Sequence, residues 1–231
     1  MKNRTIISAF LAALVCSVLA VTAAAAGTPR ELFRNAFLAQ SGHVANLVAG
    51  ATYKASDFPL SIRVTIPDGS WGGAQWKYDS SYQRKKNTEA PFYGWVTFEQ
   101  HDIQGIITMM TPYGPTPSVA AVVAGLRTRG RGATYGASSP VKLGGYSGVQ
   151  FDGKVVGKEH VFIPFSPKST VAKWWPDNYG MGQGEVFRII ALTVHGKTVV
   201  VYIENGKLPA DQFPAFLSRA DKLLNTLKFV A

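Results

Sequence analysis

The sequence predicts an α+β fold: an antiparallel β-sheet covered by helices on its faces, an α/β/α-type sandwich in a single domain. Three observations predict it. Most strand-like runs come in neighbouring pairs joined by short turns, as in antiparallel hairpins. Two segments carry one-sided apolar stripes at helical spacing, one central and one terminal. The best-defined strand pair is apolar at both parities, so both of its faces need cover.

The elements follow in order along the chain. Lys2 and Arg4 precede the 16-residue apolar run Ile6 to Val21, and Thr22 to Ala26 supply the small residues of an A-x-A cleavage site. Residues 1 to 26 therefore read as a signal peptide, and residues 27 to 231 as one domain that is secreted or extracytoplasmic. That run is shorter than the roughly 20 residues a spanning helix needs, so no transmembrane segment is expected after cleavage. Cys16, the single cysteine, lies in the apolar run. Bulky Val15 in front of it argues against lipidation, and cleavage leaves a cysteine-free mature domain.

Leu32, Phe33, Ala36 and Phe37 suggest a short amphipathic helix over Glu31 to Leu38. Leu60 to Ile66 reads as a strand that stops at the turn Pro67-Asp68-Gly69, from which Trp71 returns to the core. Phe92 to Glu99 and Gly105 to Thr111 form two more strands around the polar tip at His101 and Asp102. A helix follows, with Thr116 as N-cap and Pro117 at its first position, ending at Arg127 and Arg129 before Gly130. Its Val119, Val122, Val123 and Leu126 form one stripe. Strands are then expected at Val141 to Leu143, Tyr146 to Val156 and Glu159 to Phe165.

Glu185 to Val194 and Lys197 to Glu204 make a hairpin about His195-Gly196, with Ile189, Ile190, Leu192, Val199, Val200 and Val201 apolar on both faces. The chain closes with a helix from about Asp211, where Pro214 fits the first turn and Leu217 and Leu224 share a face.

Several phrases then resemble a known family. Val64-Thr65-Ile66-Pro67-Asp68-Gly69-Ser70-Trp71, Gly145-Tyr146-Ser147-Gly148-Val149-Gln150-Phe151-Asp152 and the ending Asp211 to Phe229 resemble the PsbP-like α/β sandwich superfamily, nearest to its uncharacterised exported actinobacterial members. The resemblance spans roughly Ala49 to Phe229. Known members are mostly binding and accessory proteins, among them a photosystem subunit and a Ran-binding nuclear import factor. It therefore implies the fold and a non-catalytic role, with no residue motif carrying over either of those two functions.

The residues themselves offer little catalytic chemistry. His43, His101, His160 and His195 are scattered, so no metal and no cofactor is expected. Gly145-Tyr146-Ser147-Gly148-Val149 lacks the last glycine of a nucleophile elbow, and Ser139-Pro140-Val141-Lys142 stands on a strand where S-x-x-K needs a helix. Gly196-Lys197-Thr198 sits in a hairpin turn and not in a phosphate loop. Asp152, Glu159 and Glu185 are the carboxylates that could pair for hydrolysis.

The long segment Ser166 to Gly184 stands out, since loops beyond about 12 to 15 residues are uncommon in compact domains. Its Lys173, Trp174, Trp175 and Tyr179 are the candidate ligand- or partner-binding residues, able to stack on a sugar or anchor a protein. The competing reading folds the tryptophans back onto the sheet.

Charge supplies the last constraint. The chain carries a net charge of +10, or +8 once Lys2 and Arg4 are removed. Such a charge suits an envelope protein or an anionic cell-envelope polymer as partner, or simply solubility. The basic runs at Arg84 and Arg127 are too short to indicate nucleic acid. The expected function is a non-catalytic extracytoplasmic binding or accessory domain. A secreted hydrolase with dispersed active-site residues, or a carrier of a small apolar ligand, are the alternatives.

Overall fold

In the computed structural model, the described residues are 27–34, 44–77, 93–101, 105–112, 114–129, 132–161, 180–206 and 208–230. Fifteen strands are described. In chain order they are β1 Arg30–Glu31, β2 Ala45–Asn46, β3 Thr52–Ala55, β4 Ser61–Thr65, β5 Trp71–Lys77, β6 Tyr93–Gln100, β7 Gly105–Pro112, β8 Ala133–Tyr135, β9 Ser139–Leu143, β10 Tyr146–Val155, β11 Glu159–Val161, β12 Gly180–Gly182, β13 Val186–Val194, β14 Lys197–Glu204 and β15 Lys228–Val230. Helix α1, Val119–Arg129, lies between β7 and β8, and α2, Phe213–Leu224, precedes β15 after a 3-10 turn at Ala210–Gln212.

The main sheet runs β2-β5-β6-β7-β14-β13-β10-β8, with β9 sharing the outer side of the long β10. The pairings between β5 and β9 within it are antiparallel, as hairpin connections require. At the β13–β14 turn His195 has φ 47° and Gly196 φ 77°. Two successive positive φ values define the type I′ turn, whose twist matches that of the flanking strands.

Alternation then sorts the side chains. Ile190, Leu192 and Val194 of β13, and Val199, Val201 and Ile203 of β14, join one buried cluster with Phe213, Phe216, Leu223 and Leu224 of α2. Phe187, Ile189 and Ala191, with Val200 and Tyr202, join another with Val122 and Leu126 of α1. The strands apolar at both parities are thus packed on both sides.

The cover on the α2 side is only partly helical. A second sheet, ordered β1-β3-β4-β15, contributes Tyr53, Ala55, Ile62 and Val64 to the same cluster. The expected sandwich is thus met in its coarser α+β outline: among the described residues strand outweighs helix, with two α-helices. Leu227 and Phe229 also join this cluster, the latter partly buried, so the chain end is tied down by β15 pairing with β4.

Two local expectations are corrected. In place of a helix from Glu31, Arg30–Glu31 forms a strand parallel to β3, and Arg34 bridges to Gln75; residues 35–38 lie outside the described residues. The helical spacing was overridden by tertiary hydrogen bonds, since Leu32 N–H donates to the Lys54 carbonyl and Gln75 N–H to the Phe33 carbonyl.

Ser118, not Thr116, caps α1: its hydroxyl accepts from Ala121 N–H at 3.2 Å and its carbonyl from Val122 N–H at 2.9 Å. Thr116 is engaged elsewhere. Its hydroxyl accepts from Thr198 N–H at 3.0 Å, while the Thr198 hydroxyl donates to the Pro117 carbonyl at 2.6 Å, docking the approach to α1 on β14. The expected signal peptide, residues 1–26, and residues 162–165 of the expected strand ending at Phe165 lie outside the described residues.

Candidate functional site

The second sheet presents one face to the core and one to solvent. Tyr53 and Ala55, and Ile62 and Val64, point inward and are buried, so Lys54 and Arg63 between them point out and are exposed. Lys228 is exposed ahead of the partly buried Phe229. Strand pairing then aligns these cations. Lys54 stands opposite Arg63, and Arg63 opposite Lys228, so three basic side chains form one row across three adjacent strands. Neighbouring Cβ atoms in such a row are about 4.5 to 5.5 Å apart, a distance at which like charges destabilise the sheet.

Glu31 closes one end of the row, opposite Lys54, with its Oε2 3.5 Å from Lys54 Nζ. Among the described residues, neither Arg63 nor Lys228 has an acidic partner. Hydroxyls flank the row. Thr52 and Thr65 lie opposite one another with their oxygens 2.9 Å apart, and exposed Ser61 lies on the other side.

Glu31 itself is fixed by a clasp. Its Oε1 accepts from Ser56 N–H at 2.9 Å, from the Ser56 hydroxyl at 2.6 Å and from Gln75 Nε2 at 2.6 Å. Fully buried Gln75 also donates to the Leu32 carbonyl and accepts from Asp57 N–H. Arg34 completes the clasp, donating to Ser56 Oγ at 2.7 Å and pairing with Asp57 at 3.1 Å.

Burial resists the Glu31 charge, but hydrogen bonds from Ser56 and Gln75, with Lys54 beside it, outweigh that and lower its pKa from 4.5 to about 2. A carboxyl whose folded pKa is lowered contributes stability above its unfolded pKa and loses it as pH falls through the folded value. The wild type is therefore expected to lose stability between about pH 4.5 and pH 2, and Glu31→Gln to lose less over that window, as read by urea unfolding at each pH.

A second polar group lies on the α1 side of the main sheet. Trp95 Nε1 donates to Thr97 Oγ1 at 2.7 Å, and Thr97 Oγ1 is 3.5 Å from Thr108 Oγ1. Glu99 and Ile106 are opposite one another, as are Ile106 and Glu204, which places two carboxylates on one row about 10 Å apart between Cα atoms.

Burial raises the Glu99 pKa above the ordinary glutamate range, against the opposing charge of His101. An acid held this way favours the fold when protonated, and that contribution is lost as pH rises through its raised value. Glu99→Gln is expected to raise the thermal midpoint at pH 7 and to raise it less at pH 4; a fall at pH 7 would contradict this.

The sequence-predicted binding residues Lys173, Trp174, Trp175 and Tyr179 lie outside the described residues. Of the carboxylates singled out for pairing, Asp152 is joined to Arg188 by two hydrogen bonds, of 2.7 and 3.0 Å, and Glu185 has a raised pKa from burial, eased by a hydrogen bond from the Gly182 backbone. His195 Nε2 lies 3.0 Å from the Tyr146 hydroxyl. Among the described residues no group of three or more His, Cys, Asp or Glu could hold a metal ion.

The cation row was not found from sequence. Its only local trace is the alternation Tyr53-Lys54-Ala55 and Ile62-Arg63-Val64, which reveals a solvent face without revealing which strands lie side by side.

No family model matches this chain, and no curated protein matches it. Among solved structures the chain is similar to the solution structure of cyanobacterial PsbP (CyanoP) from Synechocystis, at 12% identity and a TM-score of 0.42, with 84% of this chain and 99% of that chain covered. A likeness of that size transfers no residue role. Among the described residues no helix is long and apolar enough to cross a membrane.

Proposed function

We propose that this chain is an exported, non-catalytic binding or accessory domain, of the PsbP-like kind seen in exported actinobacterial proteins, and that it is held at an anionic partner of the cell envelope. The observation that carries this reading is the row Lys54, Arg63 and Lys228, of which two lack an acidic partner among the described residues. Cations set side by side weaken the sheet they stand on, and an anionic partner reverses that penalty.

The test is sedimentation of the chain from Gly27 onward with envelope fractions from its own cells, across a salt series. Pelleting at low salt and release at high salt are expected, because exposed charges are screened within about 8 Å at physiological ionic strength. Absence of pelleting, or pelleting indifferent to salt, would contradict the reading. N-terminal sequencing of the exported form should begin near Gly27.

A hydrolase reading draws on one observation, the shared row of Glu99 and Glu204. Hydrolysis of an envelope glycan that Glu99→Gln abolishes would establish it.

A further inference from the structure

Resting on the reading that the chain binds an anionic envelope partner, we infer that the row Lys54, Arg63 and Lys228 is the binding site, and that its ligand is a linear polymer of phosphodiester-linked polyol units. Each part of this follows from the outer face of the second sheet. The cations stand in single file across three strands, in a line one residue wide, which matches a single chain of charges. Adjacent strands are about 4.8 Å apart, so the file spans about 10 Å and meets successive anionic groups of one strand.

Arg63 stands at the centre of the file, flanked by a lysine on each side. A guanidinium there forms paired hydrogen bonds to one phosphate, while the lysine ammoniums act as point charges on its neighbours. Glu31 is turned away from this role. Its Oε1 is occupied by Ser56 and Gln75 and its Oε2 faces Lys54, so it holds Lys54 at the end of the file without reaching Arg63.

The surroundings of the file favour a polyol over other anions. Thr52 and Thr65 on one side and Ser61 on the other offer hydroxyls to the hydroxyls of the polymer. The aromatic side chains of this sheet, Tyr53 and Phe229, belong to the core, and the file itself carries no ring on which a nucleic acid base could stack, the exposed Phe33 lying beyond the end of β1. Nor does the file itself include an apolar side chain to enter a bilayer. Strand β9 and its partner β10 carry exposed lysines of their own, Lys142 and Lys154, which serve as a control of equal charge.

The experiment measures binding of the chain from Gly27 onward to synthetic poly(glycerol phosphate), polygalacturonate and single-stranded oligo(dT) at several salt concentrations. Poly(glycerol phosphate) is expected to bind tightest. Arg63→Gln with Lys228→Gln should weaken that binding about tenfold or more and shallow the log–log salt slope by roughly 1.4, taking about 0.7 per lost phosphate contact. Lys142→Gln with Lys154→Gln should change it less than about twofold, since the same charge is removed elsewhere.

The thermal midpoint of the Arg63→Gln, Lys228→Gln variant at low salt should stay level or rise, because like-charge repulsion is relieved. Equal weakening by the two double variants would mean a diffuse field and overturn the site, as would a falling midpoint, which would make the row structural. Polygalacturonate binding as tightly, or oligo(dT) binding more tightly, would overturn the phosphodiester polyol alone. Binding to none of the three would overturn the anionic-partner reading with it.

Discussion

Phe216→Ala is expected to destabilise the fold by about 3 to 5 kcal/mol. Phe216 is fully buried on α2, with its ring centroid 6.3 Å from that of Trp71 and 6.4 Å from that of Phe213. The helix approaches β7 closely because position 105 is glycine. A Cβ there would come within 2.5 Å of the Phe216 ring. Truncating the ring leaves a void between α2 and the sheet that Trp71, itself fully buried on β5, cannot move to fill. Urea unfolding measures the loss, and a change below about 1 kcal/mol would mean that α2 does not dock on this face.

Leu126→Ala tests the opposite face and is expected to cost about 2 to 5 kcal/mol. Leu126 is buried on α1 in the cluster that includes Phe151, Phe187 and Val200. Its carbonyl accepts from the Tyr135 hydroxyl at 3.1 Å, and the neighbouring Arg127 lies 4.7 Å from the centroid of the Phe151 ring. These contacts restrict how far α1 can settle into the space left behind. Because the sheet separates Leu126 from Phe216, the double variant should show the sum of the two losses to within about 0.5 kcal/mol. A clear departure from additivity would mean that the two clusters are not independent layers.

How much of this was legible depended on sequence distance. The β13–β14 hairpin was legible in full, because its strands are contiguous and Gly196 marks the turn. That both faces of those strands would be covered was legible from Ile189 beside Ile190 and Val199 beside Val200. The stripe on α2 was legible in its period and less so in its edges. Leu224 is buried as expected, whereas Leu217, seven residues earlier, is only partly buried at the margin of the cluster. Spacing alone does not say where a stripe is centred.

The second sheet was hidden by its connectivity. Of its four strands, only β4 was recognised; β1 runs parallel to β3, and β15 comes from the far end of the chain. Helical spacing at Leu32 and Phe33 misled because it ignores what Glu31 meets in space. Ser56 and Gln75 hold that carboxylate and keep the backbone extended. The cation row was hidden for the same reason: three isolated charges become a site only when three separate strands set them side by side.

Amide shift mapping of the isotope-labelled chain from Gly27 onward, titrated with poly(glycerol phosphate), tests whether the cation row holds the polymer. Saturable shifts are predicted at Lys54, Arg63 and Lys228 and their neighbours on β3, β4 and β15, with Lys142 and Lys154 on β9 and β10 unmoved. Shifts concentrated on β9 and β10, or none anywhere at saturating polymer, would contradict it.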